Sequence, residues 1–131
     1  MAAPDDLLSL ARAMMARAHA PYSKFHVGAA IRAEDGTIYG GCNVENAAYP
    51  QGWCAEASAI AAMVGAGRGR IIEALVIGGG EALCTPCGGC RQKLREFAGD
   101  DLPIHVCGPG GWRRSFTLGE LLPFSFGPHN L

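Results

Sequence analysis

The sequence predicts a three-layer α/β/α sandwich around a mixed central sheet of about five strands. Three observations carry that prediction. The elements run in the order α-β-β-α-β-α-β-β-α, a hairpin precedes strands that are joined through helices, and the later strands are almost wholly apolar, as strands covered on both faces must be. With 131 residues the chain suggests one domain, spanning residues 1–131, with no internal repeat, linker or low-complexity segment.

Pro4, Asp5 and Asp6 open the first helix, with proline in the first turn and acids at the positive end of the dipole. Leu7, Leu8, Ala11, Met14, Met15 and Ala18 give it an apolar face, with the methionines as core or interface residues, and Ala20–Ser23 breaks it. Val27–Ala33 reads as a strand, Glu34–Thr37 as a hairpin turn around Asp-Gly, and Ile38–Val44 as the antiparallel partner. Residues 45–52 form a loop. Cys54–Val64 is an alanine-rich helix ended by Gly65 and the glycine-rich turn behind it. Glu73–Gly79 is a strand, Pro86–Phe97 a helix closing near Gly99, and Pro103–Gly108 a strand parallel to the previous one because a helix links them. Trp112–Thr117 reads as a short edge strand and Leu118–Leu122 as a last short helix.

Composition narrows the function. The formal net charge of −1 and the lack of any Lys/Arg block argue against a polyanionic partner, so no nucleic acid is expected. No apolar run is long enough to span a membrane, and the N-terminus lacks the basic region and apolar core of a signal peptide. A cytoplasmic location follows, where six cysteines stay reduced and clustered ones favour a metal over disulfides.

Cys87 and Cys90, three apart, point the same way from one helical turn, and Cys54 opens another helix. A helix N-terminus stabilises thiolates. Two such helices following adjacent strands bring their starts together at one end of a sheet, where open α/β folds bind ligands. Three thiolates suit zinc, and three rather than four protein ligands mark a catalytic ion that keeps a position for water. Glu56, two residues after Cys54, lies beside such an ion without binding it, the place for a general base. Cys84, Cys87 and Cys90 also form the start of an iron–sulfur spacing, but the fourth cysteine is missing, position 94 being leucine. Cys42, Cys84 and Cys107 read as small buried apolar residues, and His19, His26, His105 and His129 have no ligand partner in spacing.

Cys-Ala-Glu at 54–56 with Pro-Cys-Gly-Gly-Cys at 86–90 matches the all-cysteine form of the zinc deaminase pattern. With Ala20–Ala30, Gly41–Pro50 and Leu121–Leu131, the chain resembles the small, homotetrameric cytidine deaminases over nearly its whole length. The resemblance implies hydrolysis of cytidine or 2′-deoxycytidine to uridine or 2′-deoxyuridine and ammonia, with one zinc per subunit held by Cys54, Cys87 and Cys90. It implies that Glu56 takes the proton of the zinc-bound water, passes it to ring N3 and protonates the departing amine. Asn43 and Glu45 resemble the pair that holds the ribose hydroxyls, Phe25 the aromatic against the pyrimidine, and the backbone of Ala55 the donor to its O2. Ala47, Tyr49 and Phe126 resemble residues that complete a neighbouring subunit's pocket.

One position departs. Where the family usually follows its glutamate with arginine, this chain has Ala57, so the arginine that softens the excess thiolate charge is missing. Arg91 and the two helix N-termini are the substitutes the sequence offers. Trp53, beside the first ligand, either lines the pocket or packs at a subunit interface. Two other readings stand beside the leading one: a deaminase of another aminopyrimidine nucleoside, such as a blasticidin-type antibiotic or a modified cytidine, and a non-catalytic zinc module, which would have no use for Glu56.

Overall fold

The structure is a computed structural model that describes residues 2–131. Helix α1 (Asp5–Met15) leads into the hairpin β1 (Val27–Ala33) and β2 (Ile38–Cys42). Helix α2 (Ala55–Gly65), strand β3 (Ile71–Gly78), helix α3 (Gly88–Phe97), strands β4 (Pro103–Gly108) and β5 (Gly111–Thr117) and helix α4 (Leu118–Leu121) follow. The sheet order is β2-β1-β3-β4-β5, with β3 and β4 parallel and every other neighbouring pair antiparallel. This is the mixed five-stranded sheet that the hairpin and the helix-linked strands predict.

Alternation along the strands divides the core into two layers. On one face α1 lays Leu7 and Ala11 over Ala30, Leu75, Ile77 and Cys107. On the other, Ala59 and Met63 of α2 and Leu94 of α3 pack with Ala29, Ile31, Ala74 and Ile104. Each large side chain so buried stabilises the fold by about 1.5–3 kcal/mol. Two glycines set how closely the layers approach. A Cβ on Gly28 would lie 2.0 Å from the Ala11 carbonyl oxygen, and one on Gly41 would lie 2.4 Å from both Ala55 O and Ala59 N. Gly41 therefore lets the first turn of α2, which carries the candidate base, sit directly on β2.

Boundaries moved where local chemistry decided them. Helix α1 stops at Met15, which leaves Ala18 in the following turn. Strand β2 ends at Cys42, and beyond it Val44 keeps only isolated bridges to His19 and Trp53. Strand β3 begins at Ile71, two residues before the predicted start. The predicted helices at Cys54 and Pro86 begin at Ala55 and Gly88, because Cys54 and Cys87 take extended N-cap conformations. Cys107 is fully buried as expected, but Cys42 and Cys84 are only half-buried. No helix among the described residues is long and apolar enough to cross a membrane.

Candidate active site

Helix α2 follows β2 and α3 follows β3. Those strands are not adjacent, as the sequence reading had them, but flank β1 on either side. Since β1 runs against both, its first residues meet their last: Val27 pairs with Gly78, and Gly28 with Cys42. The starts of α2 and α3 thus converge at one end of the sheet.

N-cap positions usually hold Ser, Thr, Asp or Asn, whose oxygen accepts a free amide of the first turn. Here Cys54 caps α2 and Cys87 caps α3, so sulfur stands where a capping oxygen usually does. The sulfurs turn towards each other and towards Cys90, and the three Sγ atoms lie within 4.8 Å of one another. Tetrahedral zinc with bonds of about 2.3 Å needs sulfurs about 3.8 Å apart, so the cluster fits a single ion with little adjustment.

The electrostatics point the same way. Burial pushes the Cys90 thiol far above its ordinary value, and the charges of Glu56, Cys54 and Cys87 add to the rise. Burial likewise raises Cys54, with Cys87 adding to it. At Cys87 desolvation acts upward but is outweighed by the Cys90 backbone N–H and by hydrogen bonds with the other two thiols, and the group ends below its ordinary value. Thiols that oppose one another's ionisation need a bound cation to become three thiolates. The donor set and the sulfur spacing therefore fit zinc.

Glu56, in the first turn of α2, is only 8% exposed, and burial holds its carboxyl above the usual carboxylate range. It lines a cleft of about 200 Å³ with Val27, Asn43, Cys54, Ala55 and Cys87. Cys84, which the sequence places among the small buried residues rather than in the site, and Thr85 complete that lining. Phe25, 42% exposed, stands at the edge of the cleft: both its ring and the Cys84 sulfur crowd the space where a Gly78 side chain would be.

Asn43 and Glu45 lie past the end of β2, yet both turn to the loop before β1. Asn43 accepts from the Val27 N–H at 2.9 Å and donates to the Phe25 carbonyl at 2.8 Å. Glu45 accepts the Tyr22 and Ser23 amides at 3.0 and 3.1 Å and the Ser23 hydroxyl, which leads the interactions holding its carboxyl below the ordinary range. Asn43 lines the thiol cleft, whereas Glu45 lines a second groove with Tyr22, Ser23, Asn46, Tyr49 and Gly52.

Ala47, Tyr49 and Phe126 are exposed, Tyr49 at 76% and Phe126 at 58%, and none lines the thiol cleft of its own chain. Trp53 is half exposed and lies outside that lining too. The expectation that Arg91 donates to the thiolates needs correction. Its Nε donates to Pro86 O at 2.7 Å, Nη1 to Leu121 O at 2.8 Å and Nη2 to Thr85 Oγ1 at 3.1 Å. Nearer oxygen acceptors in the loop before α3 capture the guanidinium, so Arg91 clamps that loop to α4.

Comparison with known proteins agrees with this site. Residues 1–106 match the family model described as the cytidine and deoxycytidylate deaminase zinc-binding region. A cytidine deaminase of Sporosarcina psychrophila is 39% identical over 127 residues, 97% of this chain and 93% of its own. One from Mycobacterium tuberculosis H37Rv is 43% identical over 117 residues, 88% of this chain and 84% of its own. Among solved structures, the cytidine deaminase of Burkholderia pseudomallei superposes with a TM-score of 0.88 at 37% identity, covering 95% of this chain and 99% of that one. That of Mycobacterium tuberculosis gives 0.80 at 40% identity, covering 94% and 96%. A thiol triad, a buried glutamate beside it, a family model matched over most of the sequence and relatives matched nearly end to end lead to one conclusion: the chain belongs to the cytidine and deoxycytidylate deaminase family.

Proposed function

We propose that this chain, acting as one domain over residues 1–131, hydrolyses cytidine and 2′-deoxycytidine to uridine and 2′-deoxyuridine with release of ammonia. The observation that carries the proposal is the buried Glu56 in the same cleft as Cys54 and Cys87, whose sulfurs cluster with that of Cys90. A structural metal site would not need a desolvated acid beside it.

Zinc, when bound by the three thiolates, supplies the Lewis acidity that lets water ionise near neutral pH. Glu56 accepts the proton of the attacking water on its carboxylate and delivers it to ring N3. It then takes the proton of the hydroxyl formed at C4 and gives it to the amino group, so that the C4 carbonyl forms as the C–N bond breaks and ammonia leaves. Its burial favours this double duty, because a desolvated carboxylate holds a proton more readily than an exposed one. The Ala55 N–H, in the first turn of α2, has no partner within the helix and suits the pyrimidine O2.

Asn43 and Glu45 serve the sugar and the loop together. An ionised carboxylate has about four acceptor sites, and the Tyr22–Ser23 segment fills three, which leaves room for a ribose hydroxyl. Asn43 keeps one amide hydrogen beyond the two bonds it makes to the loop. Phe25 packs against the pyrimidine. Ala47, Tyr49 and Phe126 complete the pocket of a neighbouring copy in a cytoplasmic homotetramer.

A deamination assay over cytidine, deoxycytidine and a small set of modified cytidines, followed by the loss of pyrimidine absorbance, tests the reading. Turnover of the first two is expected. Zinc-loaded protein inactive on both, but active on another aminopyrimidine nucleoside, would replace the substrate assignment.

A further inference from the structure

We propose that the Lys93 ammonium is the cation that balances the excess negative charge of the metal–thiolate centre. The inference rests on the zinc reading above. Three thiolates around a divalent ion leave a formal charge of about −1, and that excess weakens the ion as a Lewis acid unless a donor or cation offsets it.

The charges near the triad are few. Glu56 adds to the negative side. Ala57, the next residue, is buried and offers no donor. Arg91 is engaged by Pro86, Leu121 and Thr85. Arg113 donates to the Ala82 carbonyl at 2.9 Å. Lys93 enters no ion pair or side-chain hydrogen bond among the described residues.

Its position on α3 is what makes it useful. Side chains on a helix lean towards the N-terminus, so Lys93 lies over the residue four before it, Gly89. A Cβ on Gly89 would sit 3.6 Å from Lys93 Nζ and 4.0 Å from Cys87 Sγ. Ammonium and thiol therefore border the same small space, which glycine leaves open, and their separation cannot exceed the sum of those two distances. Lys93 touches neither substrate nor metal. It acts through the thiolates and is a positioning residue for their charge.

The test uses the zinc-loaded chain, with zinc itself as the probe. The apparent zinc Kd is measured by competition with a chromophoric chelator at fixed pH, in low salt and at about 1 M salt, for wild type, Lys93→Met and Lys93→Arg. Methionine and arginine are good helix formers and the position is exposed, so the fold should survive both changes. In low salt Lys93→Met is expected to bind zinc about three- to tenfold more weakly than wild type, while Lys93→Arg stays within about twofold. High salt should shrink the Lys93→Met deficit, because a partly exposed charge is screened. Equal affinity of wild type and Lys93→Met in low salt overturns the inference. So does a deficit that Lys93→Arg shares or that salt leaves unchanged, since either marks packing rather than charge. A folded wild type that takes up no zinc overturns the metal reading itself, and this inference with it.

Discussion

Cys90 and Glu56 are buried, in the first turns of two helices, while Tyr49, in a single 3-10 turn, and Phe126, on a loop, stand more than half exposed. The thiol end of the cleft is assembled within one chain: Gly41 sets α2 on β2, two N-caps aim their sulfurs inward, and Arg91 clamps the loop ahead of α3. The rim is held differently. Gln92 and Arg95 fasten the C-terminal segment to α3 through the Phe126 carbonyl, Ser125 and His129, which leaves the Phe126 ring facing outward. In the proposed function the chemistry rests on groups that folding alone preorganises, whereas substrate enclosure rests on exposed groups that a second copy would cover. A fault at the thiol end should abolish turnover in any state of assembly, and a fault at the rim should act through affinity or assembly.

The largest effect should come from Cys87→Ser. A neutral hydroxyl replaces a thiolate, so zinc retention should fall by more than about a hundredfold and turnover with it. Zinc content by atomic absorption and the absorbance assay check both, and normal zinc content would separate the site from the cleft. Glu45→Gln comes next. It should raise KM for cytidine by about tenfold to a hundredfold with a smaller change in kcat, since a charged acceptor is lost at the sugar end. A pure kcat loss would place Glu45 with the chemistry instead. Phe126→Ala should lower kcat/KM by about threefold to tenfold and weaken assembly on a sizing column. An active monomeric wild type would break the comparison at this point.

The smallest effect lies away from both ends. Arg32, hydrogen-bonded to Asp6 at 2.8 Å, leads the interactions that hold that carboxyl below its ordinary value of 3.8. A carboxyl with a lowered folded pKa stabilises the fold above its unfolded pKa, and the contribution fades as pH falls through the folded one. Asp6→Asn should therefore be slightly less stable than wild type at neutral pH, with the gap closing below about pH 3.8 in denaturant titrations. A gap independent of pH would show that the ion pair is not its source.

The same contrast governs what the sequence made legible. The thiol cluster and the buried glutamate beside it could be read because their spacing is local: Cys-x-Glu and Cys-x-x-Cys each occupy one helical turn, and the N-cap geometry follows from the turn. The strand order was legible in part. The hairpin and the parallel β3–β4 pair could be read, but β1 lying between β2 and β3 could not, because that is a pairing over long sequence separation. Arg91 was misread for a related reason. Adjacency to Cys90 says nothing about the carbonyl of Leu121, thirty residues on, which captures its guanidinium. Cys84 and Thr85 entered the cleft through the path of the loop before α3, which no periodicity encodes. Lys93 had no signal in isolation, and only the open space over Gly89 gives it one.

The central claim is that one end of this chain both holds a metal and supplies the base. It is tested most directly by zinc content per chain and initial cytidine deamination rate, measured together on wild type and Glu56→Gln. The account predicts about one zinc per chain in both proteins, with the variant's rate lower by about 10²–10⁴. Near-normal turnover in Glu56→Gln at full zinc content would contradict it.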